Sequence, residues 1–348
     1  MYKIAHVVYV KNSSSNGISD VVPQYVQYQS NFLDVIMVNI ADKKKFECVK
    51  NVDLVILHGM YNLSMLNFYK KNVDGKIPYI VVPHGGLNKI SQGKSKIRKI
   101  IANHTLFKKY FQNAKAIQYL CEYEKNNSIS IGNSKSIICR NGIVRPQRNL
   151  HVGSRDGKFH FVYIGRLNVF HKGIDVLIEA VHFLESFLRE QNVCFDLIGV
   201  CRDGSDIQAR KLIGKYSLHD IINFSTDGIF GDNKRNKIIN SDCFIQTSRL
   251  EGLPLGILEA MSLGSPIAVT DPVGVSDVVR KYKCGDCCEC SVKSVADMIK
   301  RIVEKKADLE ILSDNAYKAS EEFDWKSVTP NTVTSYVNII KETNSQSR

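Results

Sequence analysis

The chain contains no apolar run approaching the ~20 residues that a membrane-spanning helix requires, and 24% of its 348 residues are charged. A helical membrane-spanning protein is therefore excluded. There is a single tryptophan, Trp325, with no repeat of solenoid length and no low-complexity tract, so repeat and fibrous architectures have no support. Ten cysteines are too sparse for a disulfide scaffold, and most sit inside apolar, strand-like runs, where reduced core thiols are expected. Only CGDCCEC, Cys284 to Cys290, crowds thiols together, and no second CxxC or HxxxH pair stands elsewhere to complete a structural zinc site. The opening MYKIAHVVYVKNSSSNG reads as a first core strand and a polar loop rather than a secretory leader. A cytoplasmic protein is the expectation.

What is present excludes disorder. Hydrophobic residues make up 44% of the chain, and its length suits two domains of ordinary size. The net charge of +12 is unevenly distributed: residues 1–150 carry 22 Lys and Arg against 8 Asp and Glu, whereas residues 151–348 carry 25 against 27. Between Gly75 and Cys121 nine cations occur without one acid. The first half is thus suited to an anionic partner such as a phosphorylated substrate, nucleic acid or the inner face of a membrane.

Both halves alternate β-branched runs with helical patterns, the signature of βαβ units on a parallel sheet. Strands are predicted at 2–10, 33–39, 53–58, 78–83, 114–120 and 135–140, then at 159–164, 194–199, 221–224, 242–248 and 266–270. Helices are predicted between the first six, and near 174–188, 206–215, 232–239, 255–263 and 292–304 in the second half. This gives an α/β protein with a Rossmann-like domain over 1–145, a linker over 146–158, a second Rossmann-like domain over 159–325, and a closing helix over 326–348 that packs back on the first domain. Two doubly wound domains are expected to face each other across a cleft that holds the ligand.

Four stretches carry chemistry. In SRLEGLPLGILEAMSLGSP, Ser248 to Pro266, a strand ends, Glu251 and Gly252 form a loop, Leu253 follows, and a helix opens at Pro254 and Leu255. Its first amides attract phosphate. Glu251 and Glu259 can address two parts of one ligand; the plainer alternatives are a capping acid and an exposed helix residue. The apolar surroundings of Glu259 argue for a partner. In GRLNVFHKGID, Arg166 and Lys172 flank a βα loop and suit a diphosphate, although exposed cations are common. In VPHGGLN, His84 stands at a strand's carboxyl end, where a ligand role competes with a structural one. After the first strand, Asn16 and Gly17 open a helix without the GxGxxG fingerprint.

The order of these pieces, with NGI at Asn141 to Ile143 added, resembles the retaining, family-4 class of GT-B-fold glycosyltransferases over about residues 5–282. The Glu251 to Glu259 spacing corresponds to that class's E-x7-E motif. The chain departs from the class in having Asn16-Gly17 where two glycines are frequent, and Asp277 where Glu is usual. The resemblance implies that Arg166 and Lys172 neutralise a donor diphosphate and that Glu259 holds the ribose hydroxyls. Glu251, with the donor-binding turn Gly252, Leu253, Pro254 and Leu255 that follows it, would contact the transferred sugar, His84 would meet that sugar from the first domain, and Gly17 would bring backbone near the phosphate. Glu251 and His84 are the catalytic candidates. No cofactor and no metal are implied, in keeping with the lack of a DxD motif near the donor residues.

The implied reaction moves a sugar with retention from a UDP- or GDP-sugar to a glycan acceptor, lipid-diphosphate-linked, during bacterial O-antigen, capsule or lipopolysaccharide synthesis. Developing charge on the leaving nucleoside diphosphate would be the main object of stabilisation. Residues 89–115 add a basic stretch in which Ile97, Ile100, Ile101, His104, Phe107 and Tyr110 form one helical stripe among lysines. The stripe suits either packing on its own sheet or docking on an anionic membrane, which would place the protein peripherally at the inner face of the plasma membrane. A nucleotide-sugar 2-epimerase of the same architecture is an alternative, disfavoured by E-x7-E with HKG. A basic nucleic-acid-binding protein is another, disfavoured by the lack of an aromatic stacking platform, so no nucleic-acid partner is expected.

Overall fold

A computed structural model describes residues 1–10, 17–42, 49–93, 95–133 and 135–346. Asn16, Cys48 and Lys94 lie outside the described residues. The chain divides into two units, the first comprising Met1–Gly142 with Trp325–Arg348 and the second Ile143–Asp324.

The first unit is built on six parallel strands: β1 (Lys3–Val8), β2 (Asp34–Asn39), β3 (Leu54–His58), β4 (Tyr79–Val82), β5 (Ala116–Tyr119) and β6 (Ser136–Ile138), in the order β2-β1-β3-β4-β5-β6. Successive side chains point to opposite faces, both of them covered, which explains why these strands are predominantly apolar, with His6, His58 and Gln118 as buried polar exceptions. Ala5, Val7, Val55, Leu57, Tyr79 and Val81 enter one core cluster, while Ile4, Leu54, Ile56, Ile80 and Val82 enter another. The second cluster is completed by Val333, Tyr336, Ile339 and Ile340 from the Trp325–Gln346 helix. Trp325 is fully buried, stacks on Tyr28 at 5.5 Å and donates its indole N–H to Gln24.

The second unit repeats the plan with β7 (Phe159–Ile164), β8 (Val193–Ile198), β9 (Ile222–Ser225), β10 (Cys243–Gln246), β11 (Ile267–Thr270) and β12 (Gly285–Cys288), in the order β12-β11-β10-β7-β8-β9. Its amphipathic helix Val292–Glu304 buries Val295, Met298, Ile299, Ile302 and Val303 at helical spacing, and Ser291 caps it by accepting the Ser294 amide.

Several expectations are corrected. Residues 146–158, read as a linker, run within the second unit, where Asn149 donates to Ser313 at 2.9 Å and the Val152 and Gly153 amides donate to the Ile239 carbonyl. Polar contacts, not apolar periodicity, fasten this stretch. The stripe from Ile97 to Tyr110 is two helices, Lys96–His104 and Lys108–Gln112. Phe107, Tyr110 and Phe111 enter the core, but nothing in Lys96–His104 is buried. The helix read at 174–188 breaks at Leu184, and β12, unforeseen, adds an edge strand beside β11.

Candidate active site

Numbered within its own unit, the second sheet runs sixth, fifth, fourth, first, second, third, so the order reverses between β7 and β10. An open α/β sheet leaves a crevice at the carboxyl ends of the strands at such a point. The loops after β7 and β10 carry most of the residues singled out in the sequence.

After β7, Arg166 is exposed, and its side chain makes no ion pair or hydrogen bond among the described residues. Its carbonyl accepts the buried Tyr163 hydroxyl at 2.8 Å. Burial, and then the charge of Glu251, push the Tyr163 pKa upward, so this phenol remains neutral. Lys172 ends the short helix Val169–Lys172, which Asn168 caps by accepting the His171 amide at 2.7 Å. Gly173 follows with φ +62°, and a Cβ there would lie 1.9 Å from the Thr247 carbonyl oxygen. Glycine therefore allows the two loops to meet, and Thr247 donates its hydroxyl to the Gly173 carbonyl at 2.9 Å. Arg249 strengthens the junction with two bonds to Asp175, at 2.6 and 2.8 Å, and one to the Phe170 carbonyl.

This junction places Lys172 against Glu251 in an ion pair whose side chains are only 12% and 19% exposed. The Glu251 amide donates to the Pro272 carbonyl at 3.1 Å. Leu253 is buried beneath the turn, and the helix begins at Leu255, with Pro254 as its N-cap rather than inside its first turn. No side chain caps this end, which leaves first-turn amides suited to an anion. Ile257, Leu258, Ala260 and Met261 are buried, whereas Glu259 is half-buried and pairs with Lys234 of the Gly231–Ile239 helix. Glu259 is thus partnered, not a free surface acid. Lys172 thus meets Glu251, Glu259 meets Lys234, and Arg166 and Glu251 both act electrostatically on Tyr163; Lys234 and Arg249 are members of this region that sequence reasoning missed.

Gly17 and His84 belong to the first unit. Gly17 opens the Gly17–Gln29 helix, is exposed, and has nothing within 4 Å of the position a Cβ would take. His84, just past β4, is half-buried with φ +48°. It is not solitary: its Nε2 lies 3.0 Å from His58 Nδ1, and His58 Nε2 lies 2.8 Å from His6 Nδ1. His6 Nε2 meets the Gln29 Oε1 at 2.8 Å. Burial depresses His6 and His84 to about 4, and lowers His58 through burial and then the neighbouring rings. His6, the one ionisable residue in the buried run Ile4 to Val8, was the available signal.

The thiols of CGDCCEC do not converge. Cys287 faces the Ser276 carbonyl and Cys290 that of Thr247, while burial pushes Cys284, Cys287 and Cys288 up to about 12. Among the described residues no three His, Cys, Asp or Glu side chains form a metal-binding group.

The segment bearing this site, residues 148–319, matches the family described as glycosyl transferases group 1. Residues 148–319 belong to the group 1 glycosyl transferases. A curated relative of this group 1 segment's chain is the D-inositol 3-phosphate glycosyltransferase of Arthrobacter sp. (strain FB24), 22% identical over 193 residues, covering 55% of this chain and 45% of that protein. The chain spans less than half the length of the curated relatives it matches. Among solved structures, a sucrose-phosphate synthase from Thermosynechococcus elongatus superposes with a TM-score of 0.76 at 15% identity, over 98% of this chain and all of that one. HepE of Anabaena, in complex with UDP-glucose, superposes with a TM-score of 0.69 at 17% identity, over 99% of this chain and 100% of that one. These structural likenesses show the GT-B fold, two Rossmann-like α/β domains.

Proposed function

We propose that the chain is a retaining glycosyltransferase that moves a sugar from a UDP- or GDP-sugar to a glycan acceptor carried on a lipid diphosphate, in the assembly of a bacterial surface glycan such as O-antigen, capsule or lipopolysaccharide. One observation carries the reading: at the switch point of the second sheet, Arg166 and Lys172 lie on the loop after the first strand, Lys172 pairs with Glu251 just ahead of an uncapped helix start, and Glu259 lies on that helix. Such a site suits a ligand with an anionic diphosphate between hydroxylated rings. Arg166, Lys172 and the backbone N–H groups of Gly252, Leu253 and Leu255 are assigned to the diphosphate, whose negative charge grows as the nucleotide departs. Glu259, held by Lys234, is assigned to the ribose hydroxyls. Glu251, together with His84 of the first unit, is assigned to the transferred sugar, and Gly17 to close backbone approach. No metal is invoked in this chemistry.

The acceptor assignment draws support from the Lys96–His104 helix. Ile97, Ile100 and Ile101 are 74%, 47% and 57% exposed, interleaved with Lys96, Arg98 and Lys99, and exposed Ile90 and Leu106 extend the patch. An apolar face ringed by cations is suited to an anionic lipid surface, where a lipid-linked acceptor resides. No helix among the described residues is long and apolar enough to cross a membrane, and peripheral docking at the inner face of the plasma membrane is the proposed location.

The test is slow hydrolysis of the cognate donor, found by thermal shift across a panel of UDP- and GDP-sugars. Lys172→Met and Glu251→Gln should each lower release of nucleoside diphosphate by about 100-fold or more while circular dichroism is unchanged. If no nucleotide sugar raises the melting temperature, the proposal fails.

A further inference from the structure

Three adjacent strands of the first sheet deliver one histidine each: His6 from β1, His58 from the end of β3 and His84 from just beyond β4. The rings form a column, with centroids 5.1 and 5.3 Å apart, closed at its inner end by Gln29. Buried imidazoles in contact are neutral, because a charge on one would be desolvated and would repel charge on the next. Each neutral ring carries one N–H. The three contacts, His6 to Gln29, His58 to His6 and His84 to His58, each require one proton.

The Gln29 carbonyl oxygen accepts, so His6 donates from Nε2 and its Nδ1 must accept. His58 then donates from Nε2 and accepts at Nδ1, and His84 donates from Nε2. Every proton is committed. One ring nitrogen of the column, His84 Nδ1, has no hydrogen-bond partner among the described residues, and it is left with its lone pair.

We infer that Gln29, His6 and His58 are positioning residues that lock His84 in its Nε2–H tautomer, making Nδ1 an obligatory hydrogen-bond acceptor that selects a neutral, hydroxyl-bearing sugar over a uronic acid. This rests on the assignment of His84 to the transferred sugar. A hydroxyl can donate to the lone pair, whereas a carboxylate offers only lone pairs of its own and is repelled. The opposite tautomer, with Nδ1–H, would favour the carboxylate.

The column is tested by two-bond proton–nitrogen correlation spectra of the full chain labelled with 15N-histidine, the His84 signals being assigned by their loss in His84→Gln. The wild type should show His84 protonated at Nε2. In Gln29→Leu the far acceptor is gone, a buried His6 N–H would be left unpaired, and the whole column should reverse, so that His84 reads as Nδ1–H. Gln29→Glu, which keeps an acceptor, should restore the Nε2–H signature. A packing role alone would not switch a tautomer two rings away.

With UDP-glucose and UDP-glucuronate as probes, the wild type should prefer the neutral sugar, and that preference should fall roughly tenfold in Gln29→Leu, the equivalent of one hydrogen bond. An Nδ1–H signal in the wild type overturns the inference by itself, even if Gln29→Leu does not fold. So does an unmoved His84 tautomer in a folded Gln29→Leu protein, or an unchanged sugar preference after reversal. If the column behaves as described but no nucleotide sugar is bound, the proposed function fails while the tautomer lock stands.

Discussion

Replacing Gly173 by alanine should damage both stability and donor hydrolysis, and the structure allows the size of the effect to be worked out against an internal control. Gly157 and Gly173 both have positive φ, +80° and +62°, but a Cβ at Gly157 meets nothing within 4 Å. At Gly157 the cost is the left-handed backbone alone, about 1–2 kcal/mol. At Gly173 the same cost applies, and the methyl carbon would also sit 1.9 Å from the Thr247 carbonyl oxygen, where carbon and oxygen ordinarily keep about 3.3 Å or more. That oxygen is backbone and cannot rotate aside, so the loop must move by more than an ångström.

Forced shifts of this kind add roughly 1–3 kcal/mol. At about 2–4 °C per kcal/mol for a unit of this size, Gly157→Ala should lower the melting temperature by roughly 4 °C and Gly173→Ala by roughly 10 °C. Because Thr247 leads directly to Arg249 and Glu251, nucleotide-sugar hydrolysis should be lost in Gly173→Ala and retained in Gly157→Ala. The two variants are compared by thermal melts followed by circular dichroism and by release of nucleoside diphosphate. A Gly173→Ala protein as stable and as active as Gly157→Ala would refute the reasoning.

The pairing of Glu259 predicts that Lys234→Met weakens donor binding about tenfold, the value of one charge-assisted bond, with little effect on the melt; titration calorimetry with the nucleoside diphosphate checks this. His160 is raised to about 10, chiefly by its hydrogen bond to Asp196, with Cys194 and Asp156 assisting against burial. A raised histidine contributes stability that is full below its ordinary value of about 6.5 and is lost as the pH climbs through about 10. His160→Gln should therefore flatten the fall in urea-unfolding free energy across that interval, and an identical slope in variant and wild type would count against it. Ile97→Ser combined with Ile101→Ser should abolish sedimentation with phosphatidylglycerol vesicles and leave the melting temperature unchanged, since both side chains are exposed.

Most strands were legible because buried parallel strands demand predominantly apolar runs, and LVILH, YIVV and, His160 apart, FHFVYI supply them. The strand that escaped, Gly285–Cys288, has none: GDCC contains glycine, aspartate and two thiols, and it holds its place by pairing with Ile267–Thr270 at the sheet edge. The broken helix around Thr105 was hidden for the opposite reason, since Ile97 and Tyr110 fit one stripe although the former is exposed and the latter buried. In the candidate site, the residues next to strand ends could be read locally, because Arg166, Lys172 and Glu251 each follow a recognisable strand. Their partners could not. Lys234 is 25 residues from Glu259, Asp175 is 74 from Arg249, and His6 is 52 from His58. Such pairs are set by strand order, which no local pattern encodes.

The first unit is assembled from both ends of the chain. During translation, its six strands leave the ribosome long before Val333, Tyr336, Ile339 and Ile340 exist to cover Ile4, Leu54, Ile56 and Ile80. At ~5–20 residues per second, synthesis of the intervening segment takes about 10–40 s. The contiguous second unit can therefore mature while one face of its elder neighbour stays bare, and a nascent chain stalled short of Trp325 would present that face to chaperones and proteases.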